Sequence, residues 1–152
     1  MKFLTTLFLL ALTFIDCAGY ENITDKERYF EYIGEHPLNQ EEAFDASMEW
    51  VAKSFVSANT VIQLQNKEQG KIILQAVGSY YYDILNTHLV SYRYTLSITI
   101  RDNKSKYEFT VQNTIESGLP PQKKDMPNIE KNFLVTKNNI TAYLSNYTKD
   151  NF

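Results

Sequence analysis

The chain has 152 residues, 43% of them hydrophobic and 22% charged, the balance of one globular domain and not of a disordered segment. Its formal net charge of −3 supplies no basic footprint for a phosphate backbone or an anionic membrane surface, so nucleic acid is excluded as an expected partner. One cysteine cannot make a disulfide framework, and a hydrophobic core has to hold the fold unaided.

Residues 1–19 read as an export signal. Lys2 supplies the positive start, Phe3 to Ile15 an apolar run broken only by Thr5, Thr6 and Thr13, and Cys17, Ala18 and Gly19 a stretch of small residues for cleavage. The run is shorter than the roughly 20 residues that span a bilayer as a helix. Cys17 is either an acylation site, as in lipoproteins, or is lost with the signal; the charged Asp16 before it departs from the small residues that lipoprotein processing favours. The expectation is a flexible lead-in over 20–27 and a single domain over 28–150, exported and with no cofactor.

Arg28–Ile33 is aromatic and β-branched and predicts a first strand, with Gly34, His36 and Pro37 as breakers. Asn39 with Glu42 makes a capping box for a helix to about Val56, whose apolar face carries Ala43, Phe44, Met48, Trp50, Val51 and Phe55. Thr60–Gln65 and Lys71–Val77 are strands joined at Gly70, which suits a positive φ. Gly78–Thr87 then reads as a loop holding Tyr80, Tyr81 and Tyr82. Leu89–Arg101 alternates strictly and predicts a long half-buried strand, and a turn at 102–105 returns it through Tyr107, Phe109, Val111 and Ile115 as an antiparallel hairpin. Ser117–Met126 is loop. Pro127 opens a closing helix with a stripe of Ile129, Phe133, Ile140 and Leu144, and Lys137-Asn138-Asn139 is weak helix sequence that predicts a kink.

This β-α-β-β-β-β-α order predicts an α+β domain, one curved antiparallel sheet with two helices packed on one face. The order resembles the TATA-binding-protein-like (TBP-like) fold. Trp50-Val51-Ala52-Lys53-Ser54-Phe55, Asn66 through Ile73, and the Tyr- and Thr-rich strand from Val90 together look like the family called domain of unknown function 4468. The resemblance covers 28–115 best. It implies export by a Gram-negative bacterium, to the periplasm or cell surface. The family has no established activity, so no catalytic residue carries over. TBP itself puts the comparable sheet face on DNA, which the acidic charge and export signal argue against here.

Candidate chemistry is sparse. His36 and His88 lie in separate regions with no cysteine to join them, so no metal site is expected. Glu41, Asp45 and Glu49 share one helix flank and read as a solvated face, and no nucleophile or phosphate-loop motif occurs. Two binding features stand out. One is the helix-free sheet face, lined by Ser91, Arg93, Thr95, Ser97, Thr99 and Arg101 on one strand and Glu108, Thr110, Gln112 and Thr114 on the next, extended by Gln63 and Gln65 or by Ile73, Gln75 and Val77. Its six candidate binding residues are Arg93, Thr95, Ser97, Thr99, Thr110 and Gln112, and the same pattern also fits a face that is merely solvated. The other is the tyrosine loop Tyr80, Tyr81, Tyr82: tyrosine is favoured in recognition surfaces, and aromatics in loops also pack against a sheet edge as lids on the core. The function expected is a non-enzymatic binding module for an unknown protein or polar ligand. The alternatives are an assembly subunit that oligomerises through the open face and a hydrolase with a dispersed site.

Overall fold

Alternation and helical spacing place the elements of the chain, whose computed structural model describes residues 23–82, 85 and 87–148. The expected export signal with Cys17, and Asp83, lie outside the described residues. The elements are β1 (Tyr29–Glu35), α1 (Gln40–Ser54), a one-turn α2 (Ala58–Val61), β2 (Ile62–Asn66), β3 (Lys71–Tyr81), β4 (Leu89–Arg101), β5 (Lys104–Thr114) and α3 (Met126–Ser145), the last preceded by a 3₁₀ turn at Lys123–Asp125. The strands form a single antiparallel sheet in the order β1-β5-β4-β3-β2. This is the α+β architecture expected.

Period-two patterning decides which way each strand faces. Ile72, Leu74 and Ala76 of β3, Tyr92 to Ile100 at even positions of β4, and Tyr107, Phe109 and Val111 of β5 are buried in one layer. Both long helices supply the other layer: Ala43, Phe44, Trp50 and Val51 from α1, and Ile129, Phe133, Ile140 and Leu144 from α3. Phe133 is the keystone. Its ring stacks on Phe109 at 4.4 Å and meets Phe30, Tyr92 and Tyr94 at 5.2–6.0 Å. Trp50 packs edge-on against Phe55 at 6.0 Å, at the end of α1.

Local chemistry sets the ends. Asn39 caps α1 by accepting from the Glu42 N–H at 3.0 Å. The β2–β3 turn uses Gly70 at φ 59°, and the β4–β5 turn uses Asn103 at φ 65°, the left-handed region that Gly and Asn tolerate best.

Several boundaries differ from the sequence expectation, each for a packing reason. β1 continues through Gly34 to Glu35, because a Cβ at Gly34 would lie 2.3 Å from Thr141 Oγ1: the glycine allows α3 to approach the strand and does not break it. Thr60 and Val61 belong to α2 and not to β2. β3 runs on through Gly78 to Tyr81, so the expected long loop begins only at Tyr82. α3 is continuous across Lys137-Asn138-Asn139, since burial of Ile140 and Leu144 overrides weak local propensity. Part of the expected lead-in is also structured. Ile23 is buried, Thr24 and Glu27 bond reciprocally, and the Arg28 carbonyl accepts from Val111 N at 2.9 Å.

Candidate functional site

All six residues expected on the open sheet face come together there. Register puts Thr95 between Gln75 and Thr110, Ser97 between Ile73 and Glu108, and Thr99 between Lys71 and Lys106. Arg93, opposite Val77, and Thr110 are exposed, while Thr95, Ser97, Thr99 and Gln112 are half-buried by their neighbours. A ladder crosses three strands at this level. Gln75 Nε2 donates to Gln112 Oε1 at 3.0 Å, and Gln112 Nε2 donates to Thr95 Oγ1 at 2.9 Å. A β-bulge in β5 between the Tyr94 and Tyr92 pairings lies where Gln112 reaches across.

A second, charged cluster adjoins this ladder. β1 pairs with β5 so that Glu31 stands directly opposite Glu108, a like-charge arrangement that is unfavourable by itself. Two groups offset it. Lys106 Nζ lies 3.0 Å from Glu108 and 3.7 Å from Glu31, and the Tyr29 hydroxyl lies 2.9 and 2.8 Å from the same two carboxylates. Burial pushes the Glu108 carboxyl up, but Lys106 and the Tyr29 hydroxyl bring it below the usual carboxylate value. Burial and the two carboxylate acceptors raise the Tyr29 hydroxyl, so it stays protonated and donates hydrogen bonds to them. Of this cluster only Glu108 was legible in the sequence as part of the face. Tyr29 and Glu31 alternate along β1 and so share a face, but nothing in that period names β5 as the neighbouring strand.

The three tyrosines do not form one loop surface. Tyr80 is buried on the core side against Tyr92, ring centres 6.2 Å apart, and burial with the Asp125 carboxylate nearby raises its hydroxyl. Tyr81 points to the open face opposite Leu89. Tyr82 follows the strand and carries Lys124 Nζ 4.7 Å above its ring and 3.2 Å from its hydroxyl. Only Tyr81 and Tyr82 are exposed.

The other candidates resolve into structural roles. Glu41 and Asp45 pair with Lys67 at 3.0 and 2.8 Å, while Glu49 accepts from Lys53 at 2.5 Å and from the Tyr143 hydroxyl at 2.7 Å, tying α1 to α3. Lys53 and Tyr143 hold the Glu49 carboxyl low. His36 is buried with Nε2 3.0 Å from Ser105 Oγ, and His88 is exposed beside Thr87. Among the described residues no group of three or more His, Cys, Asp or Glu side chains is placed to hold a metal ion. No helix among them is long and apolar enough to cross a membrane.

Comparison with known proteins agrees with this architecture. The model of the family described as "Domain of unknown function (DUF4468) with TBP-like fold" matches residues 29–113, from β1 to the end of β5. A TBP-like protein from Parabacteroides distasonis is similar in structure, with a TM-score of 0.60 at 15% identity, covering 86% of this chain and 100% of that one. A DUF4468 family protein from Bacteroides ovatus gives a TM-score of 0.58 at 10% identity, covering 89% and 95%. At such identities the likeness is one of fold. No curated protein matches the chain.

Proposed function

Since the chain belongs to the DUF4468 family with TBP-like fold, whose description assigns no activity, we propose that it is an exported, non-enzymatic binding module. It engages a protein or polar ligand through the open face of its sheet, in the periplasm or at the surface of a Gram-negative cell. The observation that carries this reading is the state of that face. Its polar side chains are already bonded to one another across strands, from Gln75 through Gln112 to Thr95 and from Tyr29 to Glu31 and Glu108. Side chains fixed before binding lose less entropy when a partner arrives. Ile33, Leu64 and Val77 on the same face are 61%, 42% and 57% exposed, giving the polar array apolar contacts to bury.

Those apolar residues also favour a second reading, a subunit that assembles through this face. One experiment separates the two. A photo-crosslinking amino acid at Thr95 in the native host should give an adduct, and the same group at exposed Glu130 on α3 should give none. A partner of different mass supports the binding module, and an adduct of twice the chain's mass supports assembly. Equal or absent labelling from Thr95 overturns both. Export rests on Lys2 and the apolar run Phe3–Ile15. Intact mass of the protein from fractionated cells should show loss of residues up to Cys17 or Gly19, or a lipid on Cys17. An unprocessed chain in the cytoplasm would refute it.

A further inference from the structure

Among the described residues, part of one sheet edge pairs with no strand. β2 pairs with β3 only from Lys71 to Leu74. Beyond that, Gln75–Tyr81 has β4 on one side and, among the described residues, no strand on the other. The outward side can be read at Ser79. Its partner Ser91 turns its carbonyl to β5, where it accepts from Ile115 N, so the Ser79 carbonyl points away from β4. There it accepts from Asn132 Nδ2 at 2.8 Å, an amide donor standing where an incoming strand's N–H would stand.

Natural sheet edges are usually blunted by charge, proline or a covering element. This one carries no charged residue and no proline from Ile72 to Tyr82. Its core-facing positions are also unusually small. Ala76 and Gly78 stand where Leu and Ile stand earlier in β3, and a Cβ at Gly78 would fall 2.5 Å from the Tyr92 hydroxyl. Two clefts lie beside these positions, with Val77 on the rim of both. One of about 230 Å³ lies beside Gly78, floored by Tyr92, Tyr94 and Phe133. The other, about 330 Å³, lies beside Ala76 and is walled by Phe55, Val56 and Val61. A cavity of about 150 Å³ already holds a benzene ring, so each has room for a Leu or Phe side chain. Among the described residues neither cleft is lined by a Lys, Arg, Asp or Glu.

We infer that the edge Gln75–Tyr81 is a docking site for an extended, uncharged peptide segment of a partner protein, which adds to the sheet as a further strand. Backbone bonds to the outward groups of Val77, Ser79 and Tyr81 give it affinity, and apolar side chains at two alternate positions, opposite Ala76 and Gly78, fill the clefts. The uncharged linings select against a charged residue at either position. A second copy of this chain fits less well, since it would offer its own Ala76 and Gly78 to clefts that need bulk.

The test pans phage-displayed random nonapeptides against the purified domain, then titrates one enriched synthetic peptide by amide NMR. The expected result is enrichment of uncharged apolar-x-apolar sequences, with shifts centred on Val77, Ser79 and Tyr81. Ser79→Pro removes the outward N–H and should weaken binding at least tenfold. Val77→Lys, at a side chain already 57% exposed, puts a charge on the rim at little risk to the fold and should do the same. Enrichment of charged peptides, shifts confined to Thr95, Ser97, Thr110 and Gln112 in the middle of the open face, or binding undiminished in Val77→Lys would overturn the inference. So would sedimentation showing that the free domain dimerises in a way Val77→Lys abolishes.

Discussion

Leu96 and Ile98 in the middle of β4 are sealed beneath α1 and α3, and their immediate neighbours Thr95 and Ser97 lie on the side that no helix covers. On the covered side position is enforced by shape, β1, β4 and β5 fitting around Phe133 and its ring partners. On the open side position is enforced by donors and acceptors, and a carboxylate pair that should repel is held by one lysine and one tyrosine. The two sides share a backbone and therefore a register, so errors on either would displace both. They differ in how much stability each residue supplies, and that difference can be measured.

The largest expected effect is on the covered side. Phe133→Ala removes the ring on which four others converge and should cost about 3–5 kcal/mol, read from the denaturant midpoint with an unchanged slope. A smaller effect belongs to His36, buried just past the end of β1. Burial holds its imidazole below the ordinary value of 6.5, so the fold favours the neutral ring. The sign follows: above pH 6.5 both states are neutral and nothing is lost, while below it the unfolded chain takes up the proton first and stability declines with falling pH. The decline cannot exceed one proton's slope, about 1.4 kcal/mol per pH unit. Chemical denaturation between pH 7.5 and 5.5 should show it in the native sequence and lose it in His36→Gln. The smallest effect is on the open side. Lys106→Met leaves Glu31 facing Glu108 and should cost about 0.5–1 kcal/mol at low salt, shrinking as ionic strength rises. A loss comparable to that of Phe133→Ala would show that the open face is part of the structural core and not a surface available for binding.

Legibility in the sequence followed contact distance. The β4–β5 hairpin was plain because its alternation is long and its turn short, and α1 was plain from Asn39, Glu42 and a continuous apolar stripe. The six polar residues proposed for the open face were readable for the same reason, lying on adjacent strands of one hairpin. The Tyr29–Glu108 contact spans 79 residues and depends on β1 joining the far side of β5, which no local pattern encodes. The end of β3 was misplaced because Gly78 reads as a breaker, whereas its missing side chain makes room for Tyr92. Composition leaves Tyr80 either on a recognition loop or packed against the sheet edge, and its core-facing position in β3 decides for burial.

Trp50 is the only tryptophan in the chain, and it lies against Phe55, which walls the larger of the two edge clefts. That arrangement gives the protein an intrinsic fluorophore one ring away from the cleft. Emission excited at the indole band reports on a single environment, with no competing tryptophan signal elsewhere, and its position responds to water leaving or entering beside Phe55. Occupancy of the edge can therefore be followed in the unlabelled protein, by light alone.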